Sequence, residues 1–93
     1  MIDKIIHVRI TGRVQGVFYR AWTKQTADSL GLQGWVRNKL DGSVEALFGG
    51  KREAVEKMNR LCHEGPENAH VDEVEIIAAD GVLSGGFEIL DTD

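Results

Sequence analysis

The residues best suited to chemistry in this 93-residue chain lie in the stretch 12–20, GRVQGVFYR, where two glycines four positions apart lead through Phe18 and Tyr19 to Arg20. Glycine tolerates positive φ and lets the main chain approach a ligand closely, so such a loop can curl its N–H groups around an anion. A helix starting near Arg20 adds unpaired N–H groups and the positive end of its dipole at the same place. Arg20 brings a planar, permanently charged fork that matches two phosphate oxygens. The loop is expected to bind a phosphate group, with the two bulky aromatics anchoring the backbone before Arg20.

The elements that must position this loop can be read from periodicity. Ile6, Val8 and Ile10 alternate with His7, Arg9 and Thr11, the period-2 pattern of a strand with one buried face. Residues 20–30 favour helix, with Trp22, Ala27 and Leu30 inward and Gly31 as the stop. Residues 32–38 and 43–48 read as two strands, joined into a hairpin by the Asp41-Gly42 turn signal, with Val44, Ala46 and Phe48 on one face. In residues 51–63, Ala54, Val55, Met58, Leu61 and Cys62 form a helical stripe that Gly65-Pro66 ends. Val71 to Ala78 supplies a strand with an irregularity, because Val71 is out of phase with Val74, Ile76 and Ala78; Phe87 and Ile89 mark a short last strand. The order predicts a β-α-β-β-α-β sandwich: a mostly antiparallel sheet with the first and third strands central, and two helices on one face.

A chain of this length buries roughly 60–65% of its unfolded surface, enough for one modest core, so one domain, residues 1–93, is expected. Its 42% hydrophobic and 28% charged residues fit an ordinary globular protein. The apolar stretch around Ile5 and Ile6 is broken by His7 and Arg9 too soon for a signal peptide or membrane span, and the lone Cys62 agrees with a reducing compartment. A cytoplasmic monomer that binds neither membrane nor nucleic acid is expected. The net charge of −4 conceals an asymmetry: residues 1–40 hold seven Lys/Arg against two Asp/Glu, or +5, and residues 41–93 hold four against thirteen, or −9. Positive charge gathers in the half that carries the glycine loop, where it can attract a small anion.

The usual equipment for phosphate-ester cleavage is missing from the sequence. Asn68 stands where a cysteine-nucleophile loop would need an arginine after Cys62, and Arg52 follows Lys51 where a nucleotide P-loop would have Ser or Thr. His7, His63 and His70 lack metal-site spacing and are expected to be structural or at the surface; strand alternation splits Asp72 from Glu73 and Glu75. An enzyme built on this loop would need a substrate whose leaving group departs unaided. An acyl phosphate qualifies, since it expels a carboxylate whose conjugate acid has a pKa near ~4. The remaining work is holding the phosphoryl group and aiming one water, which is positioning and electrostatics.

GRVQGVFYR resembles the phosphate-loop signature of the acylphosphatases, and GWVRNKLDGSVEALFGG, residues 34–50, resembles their second signature. The resemblance covers nearly the whole chain and implies a ferredoxin-like α+β sandwich that hydrolyses acyl phosphates to a carboxylate and inorganic phosphate, without metal or cofactor. Carried over by position, it implies that Arg20 binds phosphate, that Asn38 orients the attacking water, and that the backbone N–H groups of Gln15, Gly16, Val17, Phe18 and Tyr19 form the cradle. Asn38 suits that role because its amide offers an acceptor and a donor without negative charge; asparagine before Asp-Gly is also a common turn residue. Trp22 and Trp35 are expected to pack rather than to touch substrate. Two departures from the family pattern stand out. Tyr19 replaces the usual phenylalanine before the arginine, so its hydroxyl needs a partner if buried, and the tail ends in Asp91-Thr92-Asp93 rather than in a basic or aromatic residue.

Two other functions fit parts of the sequence. A non-catalytic domain of this fold could bind a carbamoyl-type phosphate or a protein, and RNA-recognition sheets share the element order. For RNA, the third strand lacks the expected glycine-aromatic run and the second half is acidic.

Overall fold

The computed structural model describes residues 2–93. Its elements are β1 (Lys4–Arg13), α1 (Tyr19–Ser29), β2 (Gln33–Asn38), β3 (Val44–Gly50), α2 (Arg52–Cys62), β4 (His70–Ala78) and β5 (Phe87–Ile89). They form a five-stranded sheet in the order β4-β1-β3-β2-β5, antiparallel except for β5, which runs parallel to β2. The first and third strands are central, as expected. β1 is central because its apolar residues alternate without a break, and each buries against the helices: Ile6, Val8 and Ile10 are all buried. Ile6, Val8 and Ile10 share one core with Val36, Val44, Ala46 and Phe48 from the neighbouring strands and Val55, Met58 and Cys62 from α2. α1 lies over β2 and β5, α2 lies over β1, β3 and β4, and the helices touch each other, so both cover the same face. This is the ferredoxin-like sandwich.

The opposite face is partly covered by the connection between β4 and β5, where Leu83 lies against Gly49 and Gly81 lies against Leu47. Leu47 is buried there, although it points away from the helices. Among the described residues, no helix is long and apolar enough to cross a membrane.

Local details depart from the sequence reading. β1 continues through Gly12 and Arg13, so Gly12 belongs to the strand and not to the loop. Its φ is +118°, and a Cβ there would strike the carbonyl oxygen of His70. Gly12 therefore serves close strand packing, beside one of two register shifts between β1 and β4. Those two shifts replace the one irregularity expected; Val71, Val74 and Ala78 end half-buried while Ile76 is exposed. In α1 the helix begins one residue before Arg20, and Thr23 shares the buried stripe with Tyr19 and Ala27, whereas Trp22 and Leu30 are only half-buried. Thr23 is tolerated inside because its hydroxyl donates to the Tyr19 carbonyl at 2.8 Å.

Tyr19 answers the question its hydroxyl raised. The ring is 1% exposed, and the hydroxyl donates to the Cys62 carbonyl at 2.7 Å. That carbonyl lies in the last turn of α2, where helical acceptors have no intrahelical donor, so the start of one helix caps the end of the other. Burial first, and then the adjacent Cys62 thiol, raise the Tyr19 pKa and keep the hydroxyl protonated as a donor. Burial likewise pushes the Cys62 thiol up to about 12, which leaves it an inert core residue. Replacing Tyr19 by Phe should keep the fold but strand a buried acceptor, at a cost of about 1–3 kcal/mol. Urea unfolding should show a lower midpoint with an unaltered slope, and a midpoint equal to that of the wild type would mean that the bond contributes nothing.

Candidate active site

β1 and β2 both pair with β3, and Val44 has Ile10 on one side and Asn38 on the other. The chain leaves β1 beside the end of β2, crosses in residues 14–18, and enters α1. A cavity of about 380 Å3 opens at this junction, lined by Gln15, Gly16 and Phe18 of the loop, Tyr19 and Arg20 of the first helical turn, and Asn38. Val14, Ala21 and Ile89 complete its wall. Arg20 and Asn38, far apart in sequence, thus face one space. Val17 does not line it; its side chain is buried in the core and holds the middle of the loop down. Phe18, expected as an anchor, is instead 80% exposed, and of the two aromatics only Tyr19 anchors the loop. Among the described residues, Arg20 is the only charged one in the lining.

The loop presents donors because of its backbone. Gly16 has φ +73° with open space where a Cβ would be, and among the described residues Phe18 is the non-glycine one with positive φ, at +64°. The first turn of α1 has no side-chain cap and no acidic residue. Its first intrahelical bond runs from the Trp22 N–H to the Phe18 carbonyl at 3.0 Å, so the N–H groups before Trp22 are left over, at the positive end of the helix dipole. That arrangement favours an anion.

Two sets of contacts fix Asn38. The Gln15 side-chain amide donates to the carbonyls of Lys39 and Ser43, both at 2.8 Å, and straps the loop to the hairpin that carries Asn38. On the other side, the Asp93 N–H donates to the Asn38 carbonyl and the Leu40 N–H donates to the Asp93 carbonyl, each at 3.0 Å. Asp93 also draws in the flanking side chains, at 2.7 Å from Lys39 and 3.4 Å from Arg37. The tail therefore docks through backbone hydrogen bonds and charge pairing. With the backbone held on both sides, the Asn38 Oδ1 is buried and accepts no hydrogen bond from the chain. A buried acceptor left unpaired costs about 1–3 kcal/mol, and such groups concentrate where a ligand completes them.

Charges on the outer sheet face hold the hairpin in register. Glu45 accepts from Arg37 Nε at 2.8 Å and from His7 Nε2 at 2.6 Å. Burial raises the Glu45 pKa, but the Arg37 and His7 hydrogen bonds outweigh it and the net shift is downward. Trp35 lies half-buried under the Arg37 guanidinium, 4.9 Å from its ring centre, and meets His7 edge-on. It packs, as expected, away from the cavity. Asp93 is held below the ordinary carboxyl value by the Lys39 hydrogen bond first, and Lys39 is raised by the same bond.

The acylphosphatase family model matches residues 6–89. An acylphosphatase of Rhodospirillum rubrum is 56% identical over 84 residues, which cover 90% of this chain and 92% of the relative. The chain belongs to the acylphosphatase family. Two solved acylphosphatase structures superpose well. The Coxiella burnetii protein has a TM-score of 0.83 at 35% identity, covering 94% of this chain and 92% of that one. The Bacillus subtilis protein has a TM-score of 0.86 at 30% identity, covering 94% and 98%.

Against this acylphosphatase frame, two contributions escaped the sequence reading: the Gln15 side chain as a strap, and Asp93 as a clamp on Asn38. The only cue for Gln15 was an amide between the apolar Val14 and Val17. For Asp93 there was none, since its partners lie more than fifty residues away.

Gln15→Leu should release the loop. Both carbonyls keep a backbone donor, Gly42 for Lys39 and Lys39 for Ser43, so the loss should be only about 1–2 kcal/mol. Thermal unfolding should show it as a fall in Tm of about 4–8 °C per kcal/mol, and an unchanged Tm would argue against the strap.

Asp41 predicts the response to acid. Its carboxylate accepts first from the Ser43 hydroxyl and N–H and then from Arg9, and its pKa falls from 3.8 to about 2. Between about pH 4 and 2 the unfolded chain thus binds more protons at this site than the folded chain, so its stabilisation of the turn is lost as pH falls through that window. Asp41→Asn should flatten the decline of Tm between pH 4 and 2; a decline as steep as that of the wild type would remove Asp41 from the account.

Proposed function

We propose that the chain hydrolyses acyl phosphates to a carboxylate and inorganic phosphate by in-line attack of a water held at Asn38. The reading rests chiefly on one observation: Arg20 and Asn38, whose buried amide oxygen has no partner in the chain, line the same cavity, next to the uncapped start of α1. The phosphoryl oxygens lie on the N–H groups of residues 15–19 and the Arg20 guanidinium, which neutralise the charge carried by the three equatorial oxygens. Asn38 Oδ1 accepts one water proton and aims the water oxygen at phosphorus.

The P–O bond to the acyl group breaks as the water oxygen bonds to phosphorus. The carboxylate leaves with the bonding pair, and one water proton passes to a phosphate oxygen, so the products are a carboxylate and dihydrogen phosphate. A carboxylate with conjugate-acid pKa near ~4 needs no protonation to depart. Under this reading the reaction needs neither a protein base nor a metal, and the enzyme works as a cytoplasmic monomer whose ligands are the small acyl phosphate and inorganic phosphate.

Release of phosphate from benzoyl phosphate in excess chelator tests the reading, and loss of the activity on chelation would refute metal independence. Arg20→Ala should lose both affinity for inorganic phosphate and turnover, lowering kcat/KM by about 10³-fold or more. Asn38→Ala should lower kcat by about 10²–10³-fold while keeping most of the competitive inhibition by phosphate. Equal loss of phosphate inhibition in both variants would end the division of roles.

A further inference from the structure

Two carboxylates and two cations alternate around a closed ring on the outer face of the sheet. Glu45 Oε1 accepts from Arg37 Nε at 2.8 Å and lies 3.7 Å from Lys39 Nζ. Asp93 Oδ2 lies 2.7 Å from the same lysine nitrogen and 3.4 Å from Arg37 Nη2. None of the four is among the described residues that line the cavity. We propose that Glu45 is a positioning residue for Asn38, acting from the outer face through Arg37, Lys39 and Asp93. The inference rests on the hydrolytic reading above and adds a residue to its machinery.

The tail needs such an anchor. It leaves β5 in step with β2, the Leu90 N–H donating to the Val36 carbonyl at 2.9 Å. It rejoins at the Asp93 N–H, which donates to the Asn38 carbonyl, so the tail advances three residues while β2 advances two and one is left over, as in a bulge. Residues 91–93 are exposed, and burial therefore does not decide where the tail rejoins. The Asp93 side chain decides it through its contacts with Lys39 and Arg37. A single exposed ion pair would hold the tail weakly, whereas a network built on a shielded charge holds it better.

Glu45 is that shielded charge. Its side chain is 13% exposed, against 26% for Arg37, 29% for Lys39 and 58% for Asp93. It stands on the central strand β3, directly opposite Arg37 of β2, and its other oxygen accepts from His7 Nε2 of β1 at 2.6 Å. Because Glu45 takes the Nε hydrogen, the planar Arg37 fork is turned with Nη2 toward Asp93. Without the carboxylate, Arg37 and Lys39 would share Asp93 alone, and their mutual repulsion would loosen the ring. Asn38 lies between these two cations in sequence, so its backbone would lose restraint with them. A shift of a fraction of an ångström there moves the water that Asn38 aims and leaves the phosphate contacts of residues 15–20 in place.

The test compares kcat for benzoyl phosphate, inhibition by inorganic phosphate and the Asn38 side-chain amide signals in NMR spectra, for Glu45→Gln, Asp93→Asn and the double variant. Glutamine keeps the length of Glu45 and an acceptor for Arg37, and removes the charge. Each single variant should lower kcat about tenfold while phosphate inhibition stays within about twofold. The Asn38 amide signals should shift or broaden in both, with the Gly16 N–H unmoved. The double variant should be no slower than the slower single one, because both substitutions open the same ring. Wild-type kcat in Glu45→Gln, equal loss of turnover and phosphate affinity, or effects that multiply in the double variant would overturn the role of Glu45. Should Glu45→Gln fail to fold, Lys39→Gln opens the ring at one cation, and a wild-type kcat there would overturn the proposal equally. A wild type that releases no phosphate from benzoyl phosphate would instead overturn the hydrolytic reading, and this role with it.

Discussion

The double pairing of β3 is the constraint on which the site depends. Because β1 and β2 both run antiparallel to β3, they run parallel to each other and finish at the same end of the sheet, two strand spacings or about 10 Å apart. The loop after β1 must then pass the end of β2 on its way to α1. A slip of one residue in either pairing would turn the alternating core residues outward, so burial of Ile10, Val36 and Val44 keeps Arg20 and Asn38 in the same cavity.

Local devices refine what that topology makes possible. Val17 and Tyr19 hold the loop to the core, with the Tyr19 hydroxyl closing the last turn of α2. Gln15 and Asp93 hold the hairpin end from opposite sides. Against this held framework stand three unfavourable features: positive φ at Phe18, an uncapped start to α1, and an unpaired amide oxygen at Asn38. An unpaired amide oxygen also occurs elsewhere, at Asn59 Oδ1, so none of the three by itself marks a site. All three line the same cavity, which is how a site prepared for a charged ligand differs from imperfect packing.

Such a site is modest because the proposed chemistry is modest. When the leaving group needs no proton, a donor cradle, one guanidinium and one oriented water supply the positioning and the charge compensation. A chain of 93 residues with one core can hold that much rigidly. The acidic second half of the sequence does not oppose this, because among the described residues no carboxylate lines the cavity, and Glu45 and Asp93 beside the hairpin are paired with Arg37, Lys39 and His7.

The alternation of Ile6, Val8 and Ile10, the Asp41-Gly42 turn and the stripe of α2 determined the elements by themselves, since each is a local pattern whose burial any fold of this order must satisfy. The glycine loop leading to Arg20 was legible for the same reason, and the chemistry proposed for it follows from residue types. What tertiary structure alone decided were facts about distance between remote segments. Gly12 faces β4 and not the cavity, Phe18 is turned outward, Ile89 reaches the cavity, and Gln15 and Asp93 brace Asn38. No periodicity marks these roles, because each is set by a partner brought near only when the sheet closes.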